Sequence, residues 1–251
     1  YSNSVREALN KMVGTYLAKT IDLFEKTVTT FLDDNESGLR RLKTDATQLF
    51  DALSQQRSAY YSMAQGSGAA DTKLDQDARY CFYRAYTNMR EVGRNLQRLT
   101  TVVKEHIANR HRVYHGEPKK RLLTLAHDLQ KLSQSREGRH SLESVSLNAN
   151  NIINEIDDMQ AKLLTSISHE NLSMRGCELY LTFLQTAREL VNRYAIVAVL
   201  QQELNDLCDK NAEELAHEKA KAVLEPPIAP APKRSASSLL KALHLTPGKP
   251  Q

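Results

Sequence analysis

The residues in this sequence best suited to chemistry are three arginines spaced four apart, Arg90, Arg94 and Arg98. Residues at this spacing share one face of a helix, so the three guanidinium groups would form a ridge. Guanidinium binds phosphate and carboxylate through paired N–H donors, which makes the ridge a candidate surface for an anion or an acidic partner. The alternative is a solvated flank whose charges are paired with acids such as Glu91 or Asp45.

Three histidines follow the ridge. His111 and His115 are four residues apart, and His106 precedes them by about one turn. Two imidazoles at that spacing can bind one metal ion. Two ligands are too few for a stable site, however, and the helix dipole also favours histidine at a helix C-terminus. We therefore predict a cationic helix end and no metal-binding residues.

Signatures of catalysis are missing from the sequence. It contains no glycine-rich phosphate loop, no nucleophile elbow and no His-Glu-x-x-His motif. The serines lie at predicted helix caps and on polar helix faces. We therefore predict that the protein is not an enzyme, that it has no catalytic or cofactor-binding residues, and that it needs no cofactor.

The arginine ridge lies on the stretch from Tyr80 to Ile107, which we predict to be one long helix. Gly93 lies in the middle of this helix, where glycine is unfavourable unless another backbone comes close, so we predict such an approach. The apolar residues that recur at helical spacing are Phe82, Tyr86, Met89, Leu96, Val103 and Ile107.

The same reasoning predicts helices along the rest of the chain and no strands, so the fold class is all-α. Gly116 is expected to end the third helix and Pro118 to start the fourth. Leucines at helical spacing from Leu122 to Leu132 mark the buried face of that fourth helix. The predicted helices span residues 4–32, 36–64, 72–114, 118–132, 141–168 and 174–208, the last with an extension to 223.

An internal repeat is indicated by two matched series. Heptads begin at Leu39 and Leu142, an offset of 142 − 39 = 103, and the long helices around Arg90 and Arg188 are offset by 188 − 90 = 98. The difference, 103 − 98 = 5, matches a longer glycine-rich loop at 65–70 in the first half. We therefore predict two tandem three-helix repeats, residues 4–115 and 117–223, packed as a six-helix bundle with pseudo-twofold symmetry.

The C-terminal stretch, residues 225–251, carries six of the seven prolines. Proline opposes helix formation, and the composition predicts a disordered tail. Within the tail, the run from Leu239 to Leu245 holds four leucines around Lys241. This run is either part of the unstructured terminus or a short docking motif.

Charge and cysteine content bear on which partners and which cellular compartment we expect for this protein. The net charge is +4, and acids and bases alternate instead of forming blocks, so we expect no nucleic-acid partner. Cys81, Cys177 and Cys208 form no Cys-x-x-Cys motif and are expected to be reduced thiols in the cytosol. There is no signal peptide and no apolar run long enough to span a bilayer. Because the sequence starts at Tyr1 without an initiator methionine, we expect it to be part of something longer.

Two strings carry a resemblance to a known family. MREVGRNL, from Met89 to Leu96, resembles the helical motif of the PhoU-like fold. The run from Arg90 to His111, together with Glu178 to Tyr194, is similar to the cytosolic C-terminal domain of some bacterial PiT-type inorganic phosphate transporters. The resemblance extends over about residues 11–203. It implies a regulatory or gating role in phosphate transport, through contact with a membrane partner or a signalling protein.

The metal chemistry of that family is not expected here. Where its metal-binding members carry acids, this sequence has Arg90 and Arg94 in the first half and Arg188 and Asn192 in the second. Guanidinium groups at those positions repel cations. The long helices therefore keep the architecture that the resemblance implies, without its metal.

The resemblance therefore implies a soluble regulatory domain of an inorganic phosphate transporter. The resemblance places it at the cytoplasmic face of the inner membrane, coupled conformationally to a membrane part upstream of Tyr1 in the same chain. The alternatives are a free-standing PhoU-like regulator that binds a transporter in trans, or a helical scaffold that forms a homodimer through its heptads.

Overall fold

The computed structural model describes residues 1–65, 72–137, 142–166 and 172–223, and all regular secondary structure within them is α-helical. The predicted fold class, an all-α helical bundle, is therefore confirmed. The glycine-rich loop and the tail at 225–251 lie outside the described residues. The helices are α1 (Ser2–Leu32), α2 (Glu36–Gln65), α3 (Lys73–Ala108), α4 (Gly116–Glu137), α5 (Leu142–Ser166) and α6 (Met174–Ala222).

Short polar side chains begin two of these helices. Asn35 Oδ1 accepts a hydrogen bond from the Gly38 amide (2.9 Å) at the start of α2. At α3, Thr72 and Asp75 form a reciprocal capping box, with each side chain accepting from the other's backbone amide (both 3.2 Å). These bonds satisfy amides that have no carbonyl partner within the helix.

The predicted end of α3 is wrong. The helix stops at Ala108, six residues before the expected end, and Arg110 adopts a left-handed conformation (φ 59°). The loop that follows turns inward and buries Tyr114, whose hydroxyl donates to the Gly176 carbonyl (2.7 Å) at the start of α6. Gly116, with φ 63°, begins α4 instead of ending α3. Burial of Tyr114 is a tertiary contact that local sequence signals do not encode.

The long helices pack in a bundle with α2 and α5 as outer members. Helix α2 contacts α1 and α3, whereas α5 contacts α4 and α6; the two halves meet where α3 packs on α6 and α1 packs on α4 and α6. The heptad stripes of α2 and α5 face these neighbours. Their buried members are Leu39, Leu42, Ala46 and Leu53 in α2, and Val145, Ala149, Ile152, Ile156, Met159 and Leu163 in α5.

The proposed tandem symmetry stays a prediction. Helices α1 and α3 pack together, but the corresponding pair in the second half, α4 and α6, makes little contact among the described residues. They meet near the end of α4, where the Tyr194 hydroxyl donates to the Leu132 carbonyl (3.0 Å).

Helix α6 is continuous to Ala222, in agreement with the predicted extension. Its last buried residue is Cys208, so the final turns, with Leu215 half exposed, lie beyond the packed core. The three cysteines are buried and free. In the part of the chain that the structure describes, no helix is both long and apolar enough to cross a membrane.

Candidate arginine surface and the groove between α3 and α6

Arg90 and Arg94 face α2 and enclose one aromatic ring. Their guanidinium carbons lie 5.5 and 5.7 Å from the centre of the Phe50 ring. Arg90 Nε also approaches Ser54 Oγ (3.4 Å), and Arg94 Nε lies 3.5 Å from a carboxylate oxygen of Glu91. The predicted pairing with Glu91 is thus observed. Cation–π contacts of this kind join α2 to α3, so both arginines contribute to packing.

Arg98 occupies a different surface. It is exposed and lines a groove of about 370 Å³ between α3 and α6. The structure therefore separates the predicted ridge into an Arg90–Arg94 pair that faces α2 and an Arg98 that faces α6. The groove is lined by Asn95, Arg98, Leu99, Leu181, Thr182, Gln185, Thr186 and Glu189.

The groove continues toward the N-terminus of α6 as a second cavity of about 290 Å³, which shares Thr182 with the first. Val102 and Leu181 give this face two partly exposed apolar side chains, each 38% exposed. Charge of both signs lies along it, with Glu105 and Glu178 near the middle and Arg175 at the end. A long groove between two helices, lined by apolar side chains and by charges of both signs, is suited to binding a protein segment.

The histidines lie at the end of this groove. Because α3 ends at Ala108, His111 and His115 lie on no common helix face. His106 Nε2 lies 2.8 Å from the Arg112 carbonyl oxygen, and His111 Nε2 lies 3.0 Å from an Arg175 nitrogen. Burial lowers the pKa of His106. Among the described residues, no group of three His, Cys, Asp or Glu side chains is arranged to hold a metal.

Hydrogen bonds and ion pairs hold α6 to α3 and α5 beyond the Glu189 end of the groove. Arg193, on α6, pairs with Glu189 (2.9 Å) and donates to Asn88 Oδ1 on α3 (3.0 Å). Arg188 pairs with Asp157 on α5. Thus Arg188, which the predicted repeat would align with Arg90, also joins a long helix to its outer neighbour.

The structure contains a pair of carboxyl groups between α4 and α5 that the sequence did not predict. Glu155 hydrogen-bonds Asp128, and Lys131 Nζ lies 3.0 Å from Asp128 Oδ1. Burial, together with the hydrogen bond and charge of Asp128, raises the pKa of Glu155 to about 7. The two carboxyl groups are 27 positions apart in sequence (155 − 128), and no spacing rule connects residues on different helices.

We expect the substitution Glu155→Gln to remove a pH dependence of stability. Because the folded-state pKa of Glu155 is raised, its favourable contribution is present below about pH 4.5 and is lost as the pH rises through 7. Glutamine keeps a neutral hydrogen-bonding group. At pH 8 the variant should therefore be more stable than the parent by about 1 kcal/mol, after solvent screening, and nearly equal at pH 5.

Urea unfolding at both pH values measures this difference, because any contribution from His106 is common to both proteins and cancels. Asp158→Asn, on the exposed face of the same helix, is the control and should change stability by a few tenths of a kcal/mol at either pH. An equal stability gain at pH 5 and pH 8 would contradict the assignment.

Comparison with models of known protein families, with curated proteins and with solved structures found no match for this chain.

Proposed function

We propose that this bundle is a regulatory domain of an inorganic phosphate transporter and acts through protein–protein contact with the transporter's membrane part at the cytoplasmic face. The observation that carries the proposal is the side-by-side packing of α3 and α6. These two helices, with the three residues that follow α3, hold the strings that resemble the transporter domain, Arg90 to His111 and Glu178 to Tyr194. A mixed groove lies between them, open to a partner.

The mechanism in this proposal is conformational. A domain shifts a transporter between states only when it binds those states with different affinity. Arg98 is the residue of the arginine surface that remains exposed at the groove, so it is the member best placed to contact a partner. Arg90 and Arg94, in contact with Phe50, would hold the supporting helices in position.

A free-standing regulator would use the same groove in trans, and we retain that alternative. The third hypothesis, a homodimer joined through the heptads, has less support, because Leu53 of α2 and Ile152 of α5 are buried within one chain. A dimer would need another surface.

The test is phosphate uptake by cells that produce the whole polypeptide with Arg98→Glu. We expect the uptake rate, or the external phosphate concentration that half-saturates it, to change at least threefold, because charge reversal at the groove alters differential binding. Arg40→Glu is the matched control, since Arg40 is exposed on α2 and makes only a loose pair with Glu36 (3.9 Å).

Thermal melting of both variants should match that of the parent. If removal of the entire bundle also leaves uptake unchanged, the transport proposal is wrong. If uptake responds only when a separate transporter is co-expressed, and the two proteins copurify, the free-standing alternative holds.

A further inference from the structure

A third cavity, of about 230 Å³, lies between α1 and α6 beside the end of α4, away from the groove described above. We call it the α1 groove. Its lining is small and mixed, with amide, hydroxyl and aliphatic groups. The lining residues are Asn10, Val13, Gly14, Leu17, Ala18, Ser133 and Gln201.

The floor of the α1 groove is open enough for close contact with another chain segment. Gly14 and Ala18 lie one turn apart on α1, and a Cβ added at Gly14 would have no heavy atom within 4 Å. Glycine in a helix interior is unfavourable without a packing partner. Small residues one turn apart allow another backbone to approach closely.

Gln201 supplies a second and independent indication. Its side chain is 6% exposed, and Nε2 donates to Asn10 Oδ1 (3.0 Å). Its other amide atom, Oε1, is buried and accepts no hydrogen bond from the described residues. A buried acceptor without a donor is unfavourable, so an occupant of the groove that donated a hydrogen bond to Gln201 would be stabilised there.

We propose that the occupant is this chain's own segment Leu239–Leu245, which binds the α1 groove intramolecularly. Gln201 precedes Val223 by 22 residues, about 33 Å along α6 at 1.5 Å per residue. The 16 residues from Val223 to Leu239 span up to about 50 Å at 3.1 Å per residue, the rise of an extended proline-rich chain. The segment therefore reaches the groove with length to spare for the reversal of direction.

The opposite charges of the C-terminal tail and the end of α6 also favour a tail that returns along α6. The end of α6 from Glu203 to Ala222 contains six acids and three bases, a net charge of −3. Residues 224–251 contain four bases and one acid, a net charge of +3. A basic segment that returns along α6 toward Gln201 would thus run beside an acidic surface, which raises its local concentration at the groove.

The chemistry of the segment matches the groove. Leu240 and Leu243 are three residues apart and would share one face of a helical turn, suited to contact with Val13 and Leu17. Lys241 provides a donor for Gln201 Oε1. This inference is independent of the transport proposal, because it requires no phosphate and no membrane partner.

The test compares the chain of 251 residues with one that ends at Lys233. All buried core residues up to Cys208 are retained in the shorter chain, so its bundle is intact. Two-dimensional NMR should show different signals for Asn10, Gly14, Ala18 and the Gln201 side chain in the two chains. A synthetic peptide of residues 235–247, titrated into the shorter chain, should return these signals toward their positions in the full chain and saturate.

Variants in the α1 groove and in the tail segment test which residues form the contact. Gly14→Leu places a side chain in the groove from a Cβ position that has no heavy atom within 4 Å, and should weaken peptide binding at least tenfold while the melting temperature is maintained. In the full chain, Leu240→Asp should give the spectrum of the shortened chain. Ile228→Asp makes the same type of change upstream of the segment and should leave the docked spectrum unchanged.

Identical spectra for the full and shortened chains would overturn the proposal. So would groove signals in the full chain that depend on protein concentration, because these would show that a second copy, and not the chain's own segment, binds the groove.

Discussion

Replacement of Phe31 by alanine is expected to lower the free energy of unfolding by about 3–5 kcal/mol, the largest single effect that the structure predicts. Phe31 is fully buried near the end of α1. Its ring centre lies 5.2 Å from Tyr114, 5.3 Å from Phe183 and 5.7 Å from His106. One side chain therefore joins α1 to α3, to α6 and to the loop before α4.

The size of the effect follows from what alanine leaves behind. Loss of the ring removes buried apolar surface and opens a cavity whose aromatic walls cannot collapse without moving three separate elements. The edge contacts of Phe31 with Tyr114 and His106 would also be lost. Urea unfolding of the variant measures the loss.

Tyr61→Ala provides the control. Tyr61 is also aromatic but is 47% exposed at the other end of the bundle, so its removal should cost less than about 1 kcal/mol. A loss of less than about 1.5 kcal/mol in the free energy of unfolding for Phe31→Ala would show that this aromatic cluster does not hold α1, α3 and α6 together. Hydrogen exchange should report the earliest opening in residues 106–116, because that loop depends on the cluster.

The sequence was sufficient for features that depend on local periodicity. The buried faces of α2 and α5 follow the heptads, and α6 runs to its predicted extension. Each of these depends on residues within one helix, where spacing alone determines which side chains share a face.

The sequence was insufficient where distant residues decide. The end of α3 depends on burial of Tyr114 between Phe31 and Tyr180. The arginine ridge is separated because Phe50, on another helix, lies beside Arg90 and Arg94 and not beside Arg98. Pairing of Glu155 with Asp128, and the Gln201 oxygen that has no partner among the described residues, likewise arise only when helices far apart in sequence meet.

At Gly93 a local signal in the sequence predicts a contact between distant parts of the chain. The sequence predicted a close neighbour there, and the structure identifies that neighbour as α2. An added Cβ would lie 2.9 Å from Leu53 Cδ1 and 3.5 Å from the Phe50 Cα. The first contact is the end of a side chain that can rotate. The second is main chain, which is much harder to displace.

We therefore expect Gly93→Leu to lower the free energy of unfolding by about 2–3 kcal/mol, because a side chain beyond Cβ has to push α2 away from α3. Gly93→Ala is the matched variant. It gains about 1 kcal/mol of helix propensity, which offsets the small movement required of Leu53, so its net change should stay within about 1 kcal/mol.

Displacement of α2 would also separate Phe50 from Arg90 and Arg94. In Gly93→Leu, the additional loss of stability caused by Phe50→Ala should therefore be smaller than in the parent, a coupling that a double-mutant cycle measures directly. If leucine and alanine at position 93 are equally well tolerated, α2 yields more readily than the packing indicates, and the close approach of the Phe50 main chain is not what selects glycine there.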